Sequence, residues 1–96
     1  MKILALEKEM PGRSAADFQP FLKAEAEHIW QLTQQGVIRE INFHSQEHTA
    51  VIMLECGEEN EAASLLAEFP LARAGLIEFD VLPLAPYAGF ERLFAD

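Results

Sequence analysis

Residues 18–36 read FQPFLKAEAEHIWQLTQQG, and this segment organises the rest of the chain. At about 100° per residue, one arc of it is apolar, as expected of an amphipathic helix that covers a sheet. The arc consists of Phe18, Phe21, Leu22, Ile29 and Leu32. Pro20 is tolerated only in a first helical turn, so we predict that the helix begins near Asp17 and ends before Gly36.

Glu25 falls in the middle of this apolar arc. A buried ionised carboxylate is costly unless it is paired, hydrogen-bonded or faces a wet cavity, so the sequence predicts a partner or a pocket. His28 lies three residues further on, at the edge of the same arc, where the two side chains can meet. Apolar walls raise the pKa of a carboxyl group, which suits Glu25 to proton transfer between carbons with His28 as its partner. In the alternative, Glu25 pairs with a strand cation such as Arg39, or the helix is rotated so that both residues lie at its rim.

Length, charge and cysteine usage limit the function classes. A chain of 96 residues with 50% hydrophobic residues fits one domain, residues 1–96, with a tail at 85–96. The formal net charge of -9 and only seven Lys and Arg disfavour nucleic acid and anionic membranes. There is no apolar run of about 20 residues and no signal-peptide pattern in residues 1–9. The single cysteine, Cys56, favours a reducing compartment, so we expect a cytoplasmic protein.

The chain order predicts the fold class. We expect strands at residues 1–6, 37–44, 48–55 and 76–84, and helices at 17–35 and 58–68. This βαββαβ order is typical of a ferredoxin-like α+β fold, a four-stranded antiparallel sheet with both helices on one face. The strands carry apolar residues on both faces, so we expect a second subunit to cover the other face of the sheet.

Arg39 is the only cation inside a predicted strand core. The second strand alternates only in part, with Val37, Arg39, Ile41 and Phe43 expected on one face. Its planar guanidinium group suits a substrate carboxylate. The alternative is a structural salt bridge with Glu40, Glu78 or Asp80.

The remaining candidates have simpler interpretations. His44 and His48 flank a predicted hairpin turn and could ligate a metal, but the sequence supplies no further ligands, so we expect no metal site. Cys56 is expected to be a small buried apolar residue. Packing or subunit contacts are expected for the aromatic residues Trp30, Tyr87, Phe90 and Phe94.

Several short motifs resemble the muconolactone delta-isomerase family. They are Pro11 in the first loop, the helix opening LKAE at 22–25, the helix-ending Gly36 and the turn FPL at 69–71. The resemblance covers roughly residues 2–84 and leaves the tail outside. It implies a dimeric α+β barrel that assembles into larger oligomers. It also implies a cofactor-free proton shift in an unsaturated, carboxylated lactone during catabolism of aromatic compounds.

We therefore expect a cofactor-free isomerase with Glu25 as acid/base, His28 as its partner and Arg39 as the carboxylate anchor. Its partners would be a small-molecule ligand and further copies of itself, as a homodimer or higher homo-oligomer. One alternative is a non-catalytic binding or structural protein with a filled core. Another is a cofactor-independent monooxygenase of the same superfamily, with a larger and more aromatic pocket.

Overall fold

Four strands and four α-helices make up the described chain, residues 1–95 of a computed structural model. The strands are β1 (Lys2–Glu9), β2 (Ile38–Phe43), β3 (Ala50–Glu55) and β4 (Ile77–Pro83). The helices are α1 (Ala15–Phe18), α2 (Leu22–Gln34), α3 (Glu59–Ala67) and α4 (Pro70–Arg73), with 3-10 turns at Gln19–Phe21 and Ala88–Phe94. The strands form one antiparallel sheet in the order β2-β3-β1-β4. This arrangement confirms the ferredoxin-like α+β fold.

The main core lies between one face of the sheet and the helices. Ile3 and Ala5 of β1 pair with Leu54 and Ile52 of β3, and all four side chains are fully buried. Leu32 of α2 and Leu66 of α3 belong to the same cluster, so both helices pack on this face. We call it the helix-covered face and the opposite one the open face.

Pro20 divides the predicted first helix in two. The chain forms α1, then a 3-10 turn that contains Pro20, and only then the regular helix α2. Proline has no N–H group to continue an α-helical ladder, which explains the interruption. The Asp17 carboxylate accepts a hydrogen bond from the Ser14 N–H at 2.8 Å at the start of α1. Gly36 has a φ of 79°, the left-handed conformation expected just after a helix.

Strand β1 extends further than predicted. The charged run at residues 7–9 does not end the strand, because it continues to pair with β4 as far as Glu9. Lys8 on the open face supports this pairing through its ammonium group, which lies 3.0 Å from the Asp80 carboxylate. Alternation along the strand places Glu7 and Glu9 on the helix-covered face, together with Ala5.

The predicted grouping of Arg39 with its two-residue neighbours on one face does not hold along the whole of β2, because the strand contains a register shift at Arg39. Ile38 pairs with Leu54, but the next paired residue is Glu40, opposite Met53. Such a shift leaves one residue unpaired and changes the faces of its neighbours. Arg39 is exposed, and its Nε donates a hydrogen bond to the Gly36 carbonyl at 2.6 Å.

Helix α4 was not predicted. Helix α3 ends at Ala67, and Pro70 begins a separate short helix. Proline is well suited to a first helical position, since its missing N–H has no intrahelical partner there. Leu71 of this helix is buried, and its backbone N–H donates a hydrogen bond to Glu25 Oε1.

The tail carries exposed aromatic side chains. Tyr87, Phe90 and Phe94 are 66–85% exposed, and the rings of Tyr87 and Phe90 stack edge to face at 4.9 Å. Cys56 is buried, as predicted. Within residues 1–95, no helix is long and apolar enough to cross a membrane.

Candidate functional site

A cavity of about 490 Å³ lies beneath α2, where the end of β1 meets the start of β3. Its apolar wall is formed mainly by Phe18, Leu22, Ile29, Ile41, Phe43 and Leu71. Its ionisable lining consists of Glu7, Glu9, Arg13, Glu25 and His48. The size and the mixture of apolar wall and few polar groups are typical of small-molecule sites.

Glu25 has both a hydrogen-bond partner and a place in a cavity wall, the two environments that the sequence predicts as alternatives. It is only 8% exposed, and its Oε1 accepts a hydrogen bond from the Leu71 N–H at 3.0 Å. It also lines the cavity. Burial raises the pKa of Glu25 and the nearby charge of Glu7 raises it further, while the hydrogen bond from Leu71 opposes both effects.

A second carboxyl group lines the same cavity from the sheet side. Glu7 of β1 accepts a hydrogen bond from the Ala50 N–H through its Oε1 at 2.6 Å. Burial raises the pKa of Glu7, against the hydrogen bond from Ala50, and the charge of Glu9 adds to the increase. Two of the three carboxyl groups in the lining, those of Glu7 and Glu25, are therefore each held by a backbone N–H of another element.

His28 does not line this cavity. Its half-buried ring packs edge to face on Phe69, with ring centroids 4.9 Å apart. Its Nε2 is buried and has no hydrogen-bond partner in residues 1–95. No hydrogen bond joins His28 to Glu25 in that part of the chain, and the two side chains contact different residues, Phe69 and Leu71.

Arg39 also lies outside the cavity lining, which contains Arg13 instead. Arg13 follows β1 in the loop that includes Gly12, whose φ is 78°. Among the described residues, it is the only Lys or Arg side chain that lines the cavity. A guanidinium group in this position can bind an anionic group of a ligand.

The two hairpin histidines have different surroundings. His44 Nδ1 accepts hydrogen bonds from the Gln46 and Glu47 backbone N–H groups at 3.2 and 3.1 Å. His48 has a φ of 57°, uncommon for a residue other than glycine, and lines the cavity. The described residues contain no cluster of three or more His, Cys, Asp and Glu side chains that could hold a metal.

Glu7, Glu9, Arg13 and His48 are ionisable lining residues that the sequence did not predict for the site. A signal for Glu7 is present, since Ile3, Ala5 and Glu7 continue one period of two. The signal is missed when the charged residues 7–9 are interpreted as the end of the first strand. Arg13 and His48 lie in loops, whose course periodicity does not predict.

No protein-family model matches this chain, and no curated protein sequence matches it. Two solved structures are similar in fold. Muconolactone isomerase superposes with a TM-score of 0.76 at 14% identity, with 92% of each chain covered. A 5-chloro-2-hydroxyhydroquinone dehydrochlorinase from Burkholderia phenoliruptrix, solved with 2,5-dihydroxybenzoquinone, gives 0.63 at 18% identity, covering 93% of this chain and 98% of that one. The chain therefore has the fold of muconolactone isomerase, and the resemblance seen in its sequence is confirmed at the level of the fold.

Proposed function

We propose that the protein is an enzyme that moves a proton between two carbons of a small cyclic molecule, with Glu25 as the acid/base. The observation that carries the proposal is a buried carboxyl group, fixed by one backbone hydrogen bond, at the wall of a cavity of about 490 Å³. A raised pKa brings a carboxyl group closer to the pH at which it can both accept and release a proton.

The chemistry requires only an acid/base and a held substrate. The ionised carboxyl group takes a proton from a carbon beside the double bond of an unsaturated lactone, and the double bond moves along the ring. The proton is then delivered to the far carbon, and the carboxylate is regenerated. No electrons are gained or lost overall, so the step as proposed balances without an organic cofactor or a metal.

A small carboxylated ring is the proposed substrate class, and aromatic catabolism is the proposed setting. The two similar structures support a ring-shaped ligand, since one is named for a muconolactone and the other contains a dihydroxybenzoquinone. Arg13 is the proposed carboxylate anchor in place of Arg39, because it lines the cavity. We assign no catalytic role to His28, because it does not line the cavity.

The cavity also bears on the two alternatives. A non-catalytic structural protein predicts a filled core with Glu25 paired to a cation, whereas Glu25 is bonded to the Leu71 N–H and faces open volume. A monooxygenase for polycyclic substrates predicts a larger and more aromatic pocket. Among the described lining residues, the phenyl rings are those of Phe18 and Phe43. A lining with so few aromatic rings favours the isomerase of a small ring over the monooxygenase.

We also propose that the protein acts as a homodimer or a larger homo-oligomer in the cytosol. Apolar side chains occupy the open face of the sheet, namely Leu4, Leu6, Val51, Met53 and Leu82. Lys8 and its ionic partners Glu78 and Asp80 lie at one end of this surface. A second copy of the sheet would cover the apolar surface.

The direct test is proton exchange on an unsaturated lactone, beginning with muconolactone in D₂O and monitored by proton NMR. We expect deuterium incorporation and isomerisation by the native protein, and a loss of about 10²–10⁴-fold in rate for Glu25→Gln. Glu27→Gln is the matched control, since it removes one exposed carboxylate from the same helix. Equal rates for native protein and Glu25→Gln, or no exchange across a series of unsaturated lactones, would contradict the proposal.

A further inference from the structure

Two carboxyl groups enter the cavity from facing layers of the fold. Glu7 belongs to the sheet and Glu25 to the helix that covers it. Each has its Oε1 held by one backbone N–H, from Ala50 at 2.6 Å and from Leu71 at 3.0 Å. The second oxygen of each carboxyl group accepts no hydrogen bond within residues 1–95. Both groups are therefore positioned, and both retain an oxygen for a ligand.

The charges around the cavity oppose ionisation of both groups at once. Its lining contains three carboxyl groups, of Glu7, Glu9 and Glu25, against the single guanidinium of Arg13 and the imidazole of His48. Neither Glu7 nor Glu25 forms a salt bridge in the described chain. Two carboxylates that share a poorly solvated site repel each other, so one of them retains its proton more strongly.

We propose that Glu7 and Glu25 hold one proton between them and act as an acid/base pair on the molecule in the cavity. The catalytic part of this inference rests on the proposed function, but proton sharing does not. The pKa directions support it, because burial raises both and the charge of Glu7 further raises that of Glu25.

A pair changes the course of the proton shift. Whichever of the two carboxyl groups is ionised takes a proton from the first carbon, while the other, as a carboxylic acid, gives its own proton to the second. One C–H bond breaks, the double bond moves and another C–H bond forms. The two carboxyl groups have then exchanged states, and the single proton returns to its original carboxyl group before the next turnover. The proton delivered differs from the proton removed, whereas a single carboxyl group can return the one that it took.

The test is a carboxyl-carbon NMR titration of the intact chain, with no ligand present. Glu7→Gln retains an acceptor for the Ala50 N–H and removes the charge, so the titration midpoint of Glu25 is expected to fall. Glu27→Gln, on the exposed side of the same helix, is expected to leave that midpoint in place. Because coupling is reciprocal, Glu25→Gln is expected to lower the midpoint of Glu7.

An unchanged Glu25 midpoint in a folded Glu7→Gln variant would overturn the pair, and the one-carboxyl mechanism would remain. If Glu7→Gln does not fold, the Glu7 signal in Glu25→Gln reports the same coupling and decides the question. Failure of every lactone to exchange would remove the proposed function, while coupled midpoints would still establish proton sharing. The two failures are therefore distinguishable.

Discussion

The carboxyl group of Glu25 is largely shielded from solvent and accepts one hydrogen bond, from the Leu71 N–H. This environment has a direct consequence for stability. Where burial raises the pKa of a carboxyl group in the folded protein, the folded state binds its proton more tightly than the unfolded chain does. Stability is then greatest when the group is protonated, and it declines as the pH rises from the unfolded pKa through the folded one. Glu7 acts in the same direction.

We therefore predict that Glu25→Gln weakens the pH dependence of stability. Between the ordinary carboxyl pKa of 4.5 and neutral pH, the free energy of unfolding should decline in the native protein and decline less in the variant. Urea denaturation at a series of pH values measures the difference. Glu27→Gln should follow the native curve, and identical slopes for native protein and Glu25→Gln would refute the burial argument.

Arg13 gives a second prediction at the residue scale. If its guanidinium binds the carboxylate of the substrate, Arg13→Gln should raise KM by about 10–100-fold, since a charged hydrogen bond is worth about 1.5–3 kcal/mol. The kcat should change little, because the group lies outside the proton transfer. Steady-state kinetics on muconolactone measure both. Arg39→Gln should keep a near-native KM, and the reverse pattern would return the anchor role to Arg39.

At the scale of elements, sequence periodicity predicts most of the fold. The order βαββαβ and the helix that carries Glu25 are confirmed, because both depend on an apolar pattern that packing enforces. Deviations occur where partner strands decide the outcome. Pairing with β4 extends β1 to Glu9, and a register shift in β2 leaves Arg39 exposed.

The candidate site is less predictable than the fold for the same reason. Glu25 can be found from the sequence because it interrupts an apolar arc. Glu7 becomes visible only when the paired length of β1 is known. Arg13 reaches the cavity through a loop, whose course the alternation of residues does not determine.

Gly36 supports a prediction for the end of α2. Its φ of 79° is accessible to glycine at little cost, whereas other residues pay about 1–2 kcal/mol there. Beyond its chain neighbours, no atom lies within 4 Å of the point where an alanine Cβ would stand, so the expected cost of Gly36→Ala is conformational and not steric. Urea denaturation should show a loss of about 1 kcal/mol. Gln35→Ala, at the preceding exposed position, should cost clearly less, and equal costs would contradict the conformational argument.

For the whole molecule, the open face of the sheet is an apolar surface that a second copy of the chain is proposed to cover. The similarity to muconolactone isomerase covers 92% of the chain, so it includes residues far from the cavity. The apolar open face has no partner within residues 1–95. We propose that the sheet of a second copy of the chain covers this face, because the strands are apolar on both sides.

A charged substitution on this face tests the proposed dimer. Leu4 pairs with Met53 on one side and Leu82 on the other, so Leu4→Glu places a charge at the centre of the apolar surface. We expect the variant to be monomeric in size-exclusion chromatography with light scattering while circular dichroism remains native. Gln31→Glu adds the same charge to an exposed position of α2 and should leave the oligomer intact. A monomeric native protein would contradict the proposed assembly.

The most direct test of the central claim is the carboxyl-carbon NMR titration of Glu25 in the native protein, with Glu25→Gln used to assign its signal. A midpoint above the ordinary value of 4.5 is predicted, because Glu25 is a poorly solvated carboxyl group at the wall of a cavity. A midpoint at or below 4.5 would mean that its hydrogen bond outweighs its burial. Glu25 would then be a structural link between α2 and α4 and not the acid/base of the site.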